Sequence, residues 1–524
     1  MKATFTLLGM LTFGNLFSQI NSSQLDHNNV SAHISDVGTY FFDYVNSTKG
    51  YEIPKGSGRF SIYSTQFWFA GTDSSNEIRF IQGGIPNYSD VFNGPISNPG
   101  TYSSTTYQSD WGNSMWEICQ SDIDTYKAWW LACASPNANA EDCLNAIEPS
   151  IETLNRIISW PAHGNVALGQ SHFLAPYYDY NQDGAYNPED GDYPIIKGCC
   201  ATYMIQNDAA ETHTYTNTDS LGIELHLMFY QYQTGGYLND VTFVDVKAVN
   251  RSNHNYSDFV SSISVDADLG YFGDDYYGCD SVRNTMYFYN GDNLDEDEAG
   301  ILGYGVNPPA LGIVGLDVDL SSCAPLYSGS SIAEKWNIMN GLQPNGSSWL
   351  TPTANPTKYV YSGNPTIAGE WSAPNDGVPP GDVRGIASFY HGTLNSGDTL
   401  TQTYAITFAQ NGNNLGNVTN ILNISDEIKM FYDNQSNVPC NGATWGIEDK
   451  ELIQFSLSPN PANSKISISS SAPIKEIILL DILGNRILSS TSNSIDISKL
   501  SNGVYFIYLE TQDGQLLTRE FIKN

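Results

Sequence analysis

The stretches Gly222-Ile-Glu-Leu-His-Leu-Met-Phe-Tyr230 and Val241-Thr-Phe-Val-Asp-Val-Lys-Ala-Val249 set the fold class. Each is a run of apolar, β-branched and aromatic residues too short and too rich in strand formers for a typical helix. Thr403-Tyr-Ala-Ile-Thr-Phe-Ala409 reads the same way, as do Phe67-Trp-Phe-Ala70 and Ile78-Arg-Phe-Ile81 nearer the start. With 46 Gly and 33 Tyr, the composition favours strands and turns over long helices. One region breaks the pattern. Between 111 and 158, Ile118, Ile123, Tyr126, Trp129 and Trp130 are spaced for one helix, and Ile147, Ile151, Leu154, Ile157 and Ile158 for another. The expected fold is therefore mainly β: a β-rich multi-sheet body with two short helices inserted, followed by a small C-terminal antiparallel β-sandwich.

A chain of 524 residues has room for two to four domains. The sequence divides into a signal peptide at 1–18, an N-terminal β-rich region at 19–198, a β-sandwich-like body with acidic loops at 199–433, a polar, turn-rich linker at 434–446, and a C-terminal domain at 447–524. The stretch between Pro308 and Pro380, rich in Pro, Gly, Asn and Ser, reads as ordered loops with few regular elements.

Lys2 precedes an apolar run from Ala3 to Phe17, and Ser18-Gln19 offers a cleavage point, set to within a residue or two because Leu16 is large for its position. A membrane anchor needs about 20 apolar residues, and no later segment approaches that. The mature chain is thus expected to have no transmembrane segment. Eight cysteines then enter an oxidising compartment, where disulfides are expected. Their pairing stays open, although the adjacent Cys199 and Cys200 should each find a distant partner, leaving room for one or two free thiols.

Charge narrows the partners. With 22 Lys+Arg against 56 Asp+Glu the formal charge is −34, which repels nucleic acid and anionic lipid surfaces. Such self-repulsion is relieved by cations, and outside a cell divalent ions are at hand. The loop Asp179-Tyr-Asn181-Gln-Asp183-Gly184-Ala185-Tyr-Asn187-Pro-Glu-Asp190 supplies the matching chemistry. Oxygen side chains stand at loop positions 1, 3, 5, 9 and 12, Gly184 sits at the sharp turn, and Ala185 can offer its carbonyl. The expected calcium (Ca2+) donors are Asp179, Asn181, Asp183, Ala185, Asn187 and Asp190. The loop resembles those of dockerins and thrombospondin type 3 repeats, with Asp190 where an EF-hand has a bidentate Glu. Flanking prolines exclude the paired EF helices; the alternative is an unmetallated Asx-rich turn. The expected role is to pin a loop.

A second acidic cluster contains Asp266, Asp268, Asp274 and Asp275, and continues through Asp292, Asp295, Asp297 and Glu298. It reads either as a second calcium site or as a solvated acidic face. Together with Trp160-Pro-Ala-His-Gly164, Asn250-Arg-Ser252 and Gly303-Tyr-Gly305, these segments resemble a body region of large secreted flavobacterial proteins, over about 110–430. That resemblance implies architecture and no activity.

The last part of the chain carries ordered motifs: Phe455-Ser-Leu-Ser-Pro-Asn-Pro-Ala462, Ile477-Ile-Leu-Leu-Asp-Ile-Leu-Gly-Asn485, Ile495-Asp-Ile-Ser-Lys-Leu-Ser-Asn-Gly-Val-Tyr-Phe506 and Arg519-Glu-Phe-Ile-Lys523. Apolar residues alternate at Ile466 and Ile468 and at Val504, Phe506 and Tyr508, with turn residues at Asn502-Gly503 and Asp513-Gly514. The order of motifs resembles the type A C-terminal sorting domain of the type IX secretion system of Bacteroidetes. The resemblance implies recognition of 447–524 by the type IX secretion machinery, passage through the periplasm, and a secreted or outer-membrane surface-attached protein.

Catalytic motifs are missing: there is no Gly-x-Ser-x-Gly elbow, no His-Glu-x-x-His, no phosphate loop and no dinucleotide fingerprint. His163, His213 and His226, with Glu211 and Glu224, remain as acid/base or metal candidates; isolated histidines are more often structural. Aromatic residues fit core packing or glycan contact. The sequence points to a non-catalytic, calcium-stabilised surface or secreted protein used in adhesion or polymer binding, with an extracellular glycan or protein as ligand. The alternative is a secreted hydrolase acting on polysaccharide or protein.

Overall fold

The computed structural model describes residues 20–85, 88–112, 115–326, 331–434, 440, 455–470, 473–480, 486–511 and 516–524. The signal-peptide residues 1–18 and all of the expected linker except 434 and 440 lie outside them. The chain forms two compact units, 1–444 and 445–524, and it is mainly β, with antiparallel sheets throughout.

The first unit is built on two nine-stranded sheets. In the strand Ile223–Gln231, Ile223, Leu225, Leu227 and Phe229 enter the core between the sheets, while Met228 and Tyr230 point to the other side. Its neighbour Val241–Asn250 sends Val244, Val246 and Ala248 inward, and Val241 and Phe243 outward. Period-two alternation thus buries both faces of this sheet. The facing sheet does the same through Phe60–Thr72: Phe67 and Phe69 meet the shared core, and Trp68 and Ala70 pack outside. Each buried side chain of this size contributes about 1.5–3 kcal/mol, so a Phe229→Ala cavity would cost about 3–5 kcal/mol.

Strands from both sides of residue 198 share each sheet. Phe60–Thr72 pairs with Tyr256–Ala267, and Met115–Cys119 with Cys200–Asn207. The two expected helices are present at Gln120–Cys133 and Ile151–Ile158, accompanied by four more at Thr105–Trp111, Ala140–Asn145, Ile332–Met339 and Asn414–Asn434 among the described residues. Ile118 belongs to the edge strand Met115–Cys119 rather than to a helix. In Ile151–Ile158 the buried residues are Thr153 and Ile157, and Ser150 caps the start by accepting from the Thr153 N–H. The stretch between Pro308 and Pro380 holds two strands of the large sheets, Ala310–Gly315 and Leu320–Pro325, the helix Ile332–Met339, and a short antiparallel pair, Trp349–Leu350 with Pro356–Thr357.

Three disulfides close the first unit: Cys119–Cys200, Cys133–Cys143 and Cys199–Cys440. Cys199 and Cys200 do take distant partners, and Cys279 and Cys323 are free and buried. Cys440, inside the expected linker, is tied back to the body.

The second unit has a three-stranded and a four-stranded antiparallel sheet around Ile466, Ile468, Ile477, Leu479, Ile495, Ile507, Leu509 and Phe521. In the strand Gly503–Thr511, Ile507 and Leu509 are buried, whereas Val504 and Tyr508 are exposed. Both faces of this strand carry apolar residues, so periodicity alone did not fix the side.

Candidate functional site

The loop 179–190 is organised by its own acidic side chains. Asp179 accepts from the backbone N–H of Gln182 (2.7 Å), Asp183 (3.3 Å) and Gly184 (2.8 Å). Asp183 accepts from the Ala185 N–H (2.8 Å) and the Asn181 side-chain amide (3.0 Å). Gly184 makes the sharp turn at φ 79°. Pro188–Asp190 forms a 3₁₀ turn in which Asn187 caps the Glu189 N–H and donates to Asp190 at 2.7 Å.

A residue beyond the expected register closes the loop. Asp192, fully buried, accepts from the Tyr180 N–H and the Asn187 N–H, both at 2.8 Å. Burial pushes its carboxyl above the usual range, and the negative charges of Asp179 and Asp183 add to that. The only sequence signal was its place after Gly191, two residues past the last loop position. All the candidate donors are oxygens, the class a hard cation takes, roughly six to eight at a time. Carboxylate oxygens keep a second lone pair after accepting one N–H, so the donor set fits calcium.

The loop is fastened to a neighbouring hairpin. His163 and His172 stack with ring centroids 4.2 Å apart. His172 Nε2 lies 3.4 Å from the Gly184 carbonyl. The same hairpin walls a cavity of about 420 Å³ on the outer side of the helix-covered sheet, lined by Trp111, Trp116, Trp160, His163, Gln170 and Asp110. Two buried donors in this wall, Trp111 Nε1 and Gln170 Nε2, have no hydrogen-bond partner. Trp160 is fixed by its own indole N–H, which donates to the Pro176 carbonyl at 2.9 Å, and by Tyr203 beneath it at 5.2 Å between ring centres.

The second acidic set separates in space. Oxygens of Asp266 and Asp268 gather with Asp382 to within 4.8 Å of one another. Lys49 pairs with Asp268 (2.8 Å), and Arg384 with Asp266 (2.9 Å) and Asp382 (3.5 Å), so two cations offset three carboxylates. Asp274 and Asp275 are not part of that group. Asp274 accepts from the Asn290 side chain (2.7 Å), and the fully buried Asp275 accepts from the Leu269 N–H (3.1 Å) through Oδ2, with Oδ1 unpartnered. Burial, seconded by Asp274 and Asp295, pushes the Asp275 carboxyl well up.

Glu224 and His226 do share one face of a strand, but they form a closed network. His226 bonds Glu224 Oε1 (3.1 Å) and the Tyr203 hydroxyl (2.7 Å); Arg251 donates to the same Oε1 (2.7 Å), and the Ile96 N–H to Oε2 (2.9 Å). Burial works to raise the Glu224 carboxyl, yet His226 and Arg251 hold it below the ordinary range, while burial lowers His226. The direction is an ionised Glu224 beside a neutral imidazole. Neither lines the tryptophan cavity. His213 is buried against Asp208 (3.4 Å). A further His/Cys group, His27 with Cys119 and Cys200, has both sulfurs in a disulfide.

These features define a two-sheet β body followed by a separate small β unit. Residues 456–524 match the family described as the secretion system C-terminal sorting domain, and this tail is a type IX sorting domain. It implies a secreted or cell-surface protein that interacts with the type IX machinery. Among the described residues no helix is long and apolar enough to cross a membrane. No curated protein matches the chain. Solved structures with some similarity include a polysaccharide lyase (6% identity, 57% of this chain and 34% of that one, TM-score 0.17). A putative aldose 1-epimerase from Escherichia coli K12 shows 9% identity over 75% of this chain and all of that one, TM-score 0.22. A lysyl oxidase from Pichia pastoris shows 9% identity over 76% and 52%, TM-score 0.26. The chain spans about a third of the lyase's length, and similarities this low carry no argument about activity.

Proposed function

We propose that this is a calcium-stabilised, non-catalytic protein, exported through the periplasm to the cell surface or the medium, that binds an extracellular glycan or protein polymer. The observation that carries the reading is the cavity lined by three tryptophans, Trp111, Trp116 and Trp160. In its lining, the exposed Asp110 carboxylate and the partly exposed Trp116 indole offer a hydrogen-bond acceptor and a donor to hydroxyls of a ligand. Indole rings beside such groups suit the mixed apolar and polar faces of a sugar. Calcium in the 179–190 loop would hold the hairpin that forms the cavity wall. His163, the imidazole in that wall, has both nitrogens engaged by backbone groups, which supports binding over acid/base chemistry.

The test is a panel of glycans and peptides presented to the mature chain in calcium and in EDTA, read for binding and for cleavage products. Binding that needs calcium and falls at least about tenfold in Trp116→Ala supports the reading. Hydrolysis abolished by Asp110→Asn or His163→Ala would replace it with the hydrolase alternative.

A further inference from the structure

The outer face of the other sheet holds a second cavity, of about 220 Å³. Its floor follows from strand register: Ser64 stands opposite Asp266 and Asp266 opposite Arg384 in one row, with Gln66 opposite Ser264 in the next. Side chains two residues apart share a face, so Ser64, Gln66 and Trp68 line one wall together. Lys335, on the helix Ile332–Met339, reaches over this floor. Its ammonium donates to Gln82 Oε1 (2.6 Å) and lies 5.5 Å from the Trp68 ring centre and 5.3 Å from that of Tyr215.

The polar groups here are unequally satisfied. Gln66 and Gln82 are spent on each other, on Thr39, on Trp68 and on Lys335. Lys335 is half-buried and forms no ion pair among the described residues. Burial lowers its pKa, partly offset by the field of Asp90. A second cation, Arg384, stands on the floor, already paired with Asp266 and Asp382. Two of only 22 basic side chains in a chain of charge −34 therefore converge on one concave site. Lys335, the cation here without an ion pair among the described residues, is the group a small anion would meet, with Arg384 beside it already balanced by carboxylates, while the protein's long-range field discourages a long polyanion. The small volume also suits a ligand below drug size.

The geometry points to a binding site for a single acidic sugar residue, a hexuronate, with its carboxylate on Lys335 and Arg384 and its hydroxyls on Asp266 and Ser64. This site lies on the opposite sheet from the tryptophan cavity and does not rest on the function proposed above.

Isothermal titration of the mature chain with D-glucuronate, D-galacturonate, D-glucose and acetate tests this. At least one uronate should bind, glucose and acetate should each bind at least about tenfold more weakly, and Lys335→Met should weaken uronate binding about 10–100-fold, the range of a lost charged hydrogen bond. Lys335→Arg, which keeps the charge, should restore most of it. Uronate binding unchanged in a Lys335→Met protein with wild-type melting behaviour, or acetate binding as tightly as either uronate, would overturn the assignment. So would no uronate binding at all.

Discussion

His163 holds the backbone of Tyr186: its Nε2 accepts the Tyr186 N–H at 2.8 Å, while Nδ1 faces the His172 carbonyl at 3.0 Å. An N–H donor on Nε2 requires that nitrogen to be unprotonated, so Nδ1 carries the proton and donates to His172. One neutral ring thus joins the cavity wall to the residue following Ala185, whose carbonyl is a candidate calcium donor.

His163→Ala leaves the Tyr186 N–H without that acceptor. The expected loss is about 1–3 kcal/mol of stability, together with weaker calcium binding, read by thermal melting and calcium titration. Unchanged calcium affinity would separate the hairpin from the loop.

The Cys199–Cys440 bridge spans 241 residues and Cys133–Cys143 spans 10. In the chain-entropy view the longer loop stabilises more, about 5 against about 3 kcal/mol. Cys440→Ser should therefore lower the denaturation midpoint further than Cys143→Ser. The reverse order would mean that unfolded-state entropy does not dominate here.

Burial raises the carboxyls of Asp275, Asp266 and Asp295, the last two to about 6. Between about pH 4 and pH 6 these groups keep protons in the folded chain that the unfolded chain has released, so their contribution to stability falls as pH rises. Asp275→Asn keeps an oxygen for the Leu269 N–H and turns N–H donors toward its acidic neighbours. In EDTA at pH 7 it should stabilise by on the order of 1–3 kcal/mol, with a flatter pH dependence. Destabilisation in chemical denaturation would contradict this.

Strand content was legible because residues such as Leu225, Leu227 and Phe229 leave no other reading, and the tail because its motifs come in order. The helix Asn414–Asn434 was not, since its sequence is rich in Asn, a weak helix former. It persists because Val418, Ile421, Leu422, Ile428 and Phe431 bury one face. The side turned inward at Ile507 and Leu509 was hidden by apolar residues on both faces. In the candidate site, the loop spacing exposed Asp179 and Asp183, whereas Asp192 and the cavity depend on contacts distant in sequence.

Calcium titration of the mature chain by calorimetry, beside Asp183→Ala, decides whether the 179–190 loop holds a cation. Wild type should bind at least one calcium more than the variant, and gain about 2.7 kcal/mol of stability at a free calcium concentration one hundred times the Kd, a gain the variant lacks. Equal stoichiometry and equal stabilisation in the two proteins would contradict calcium binding in the loop.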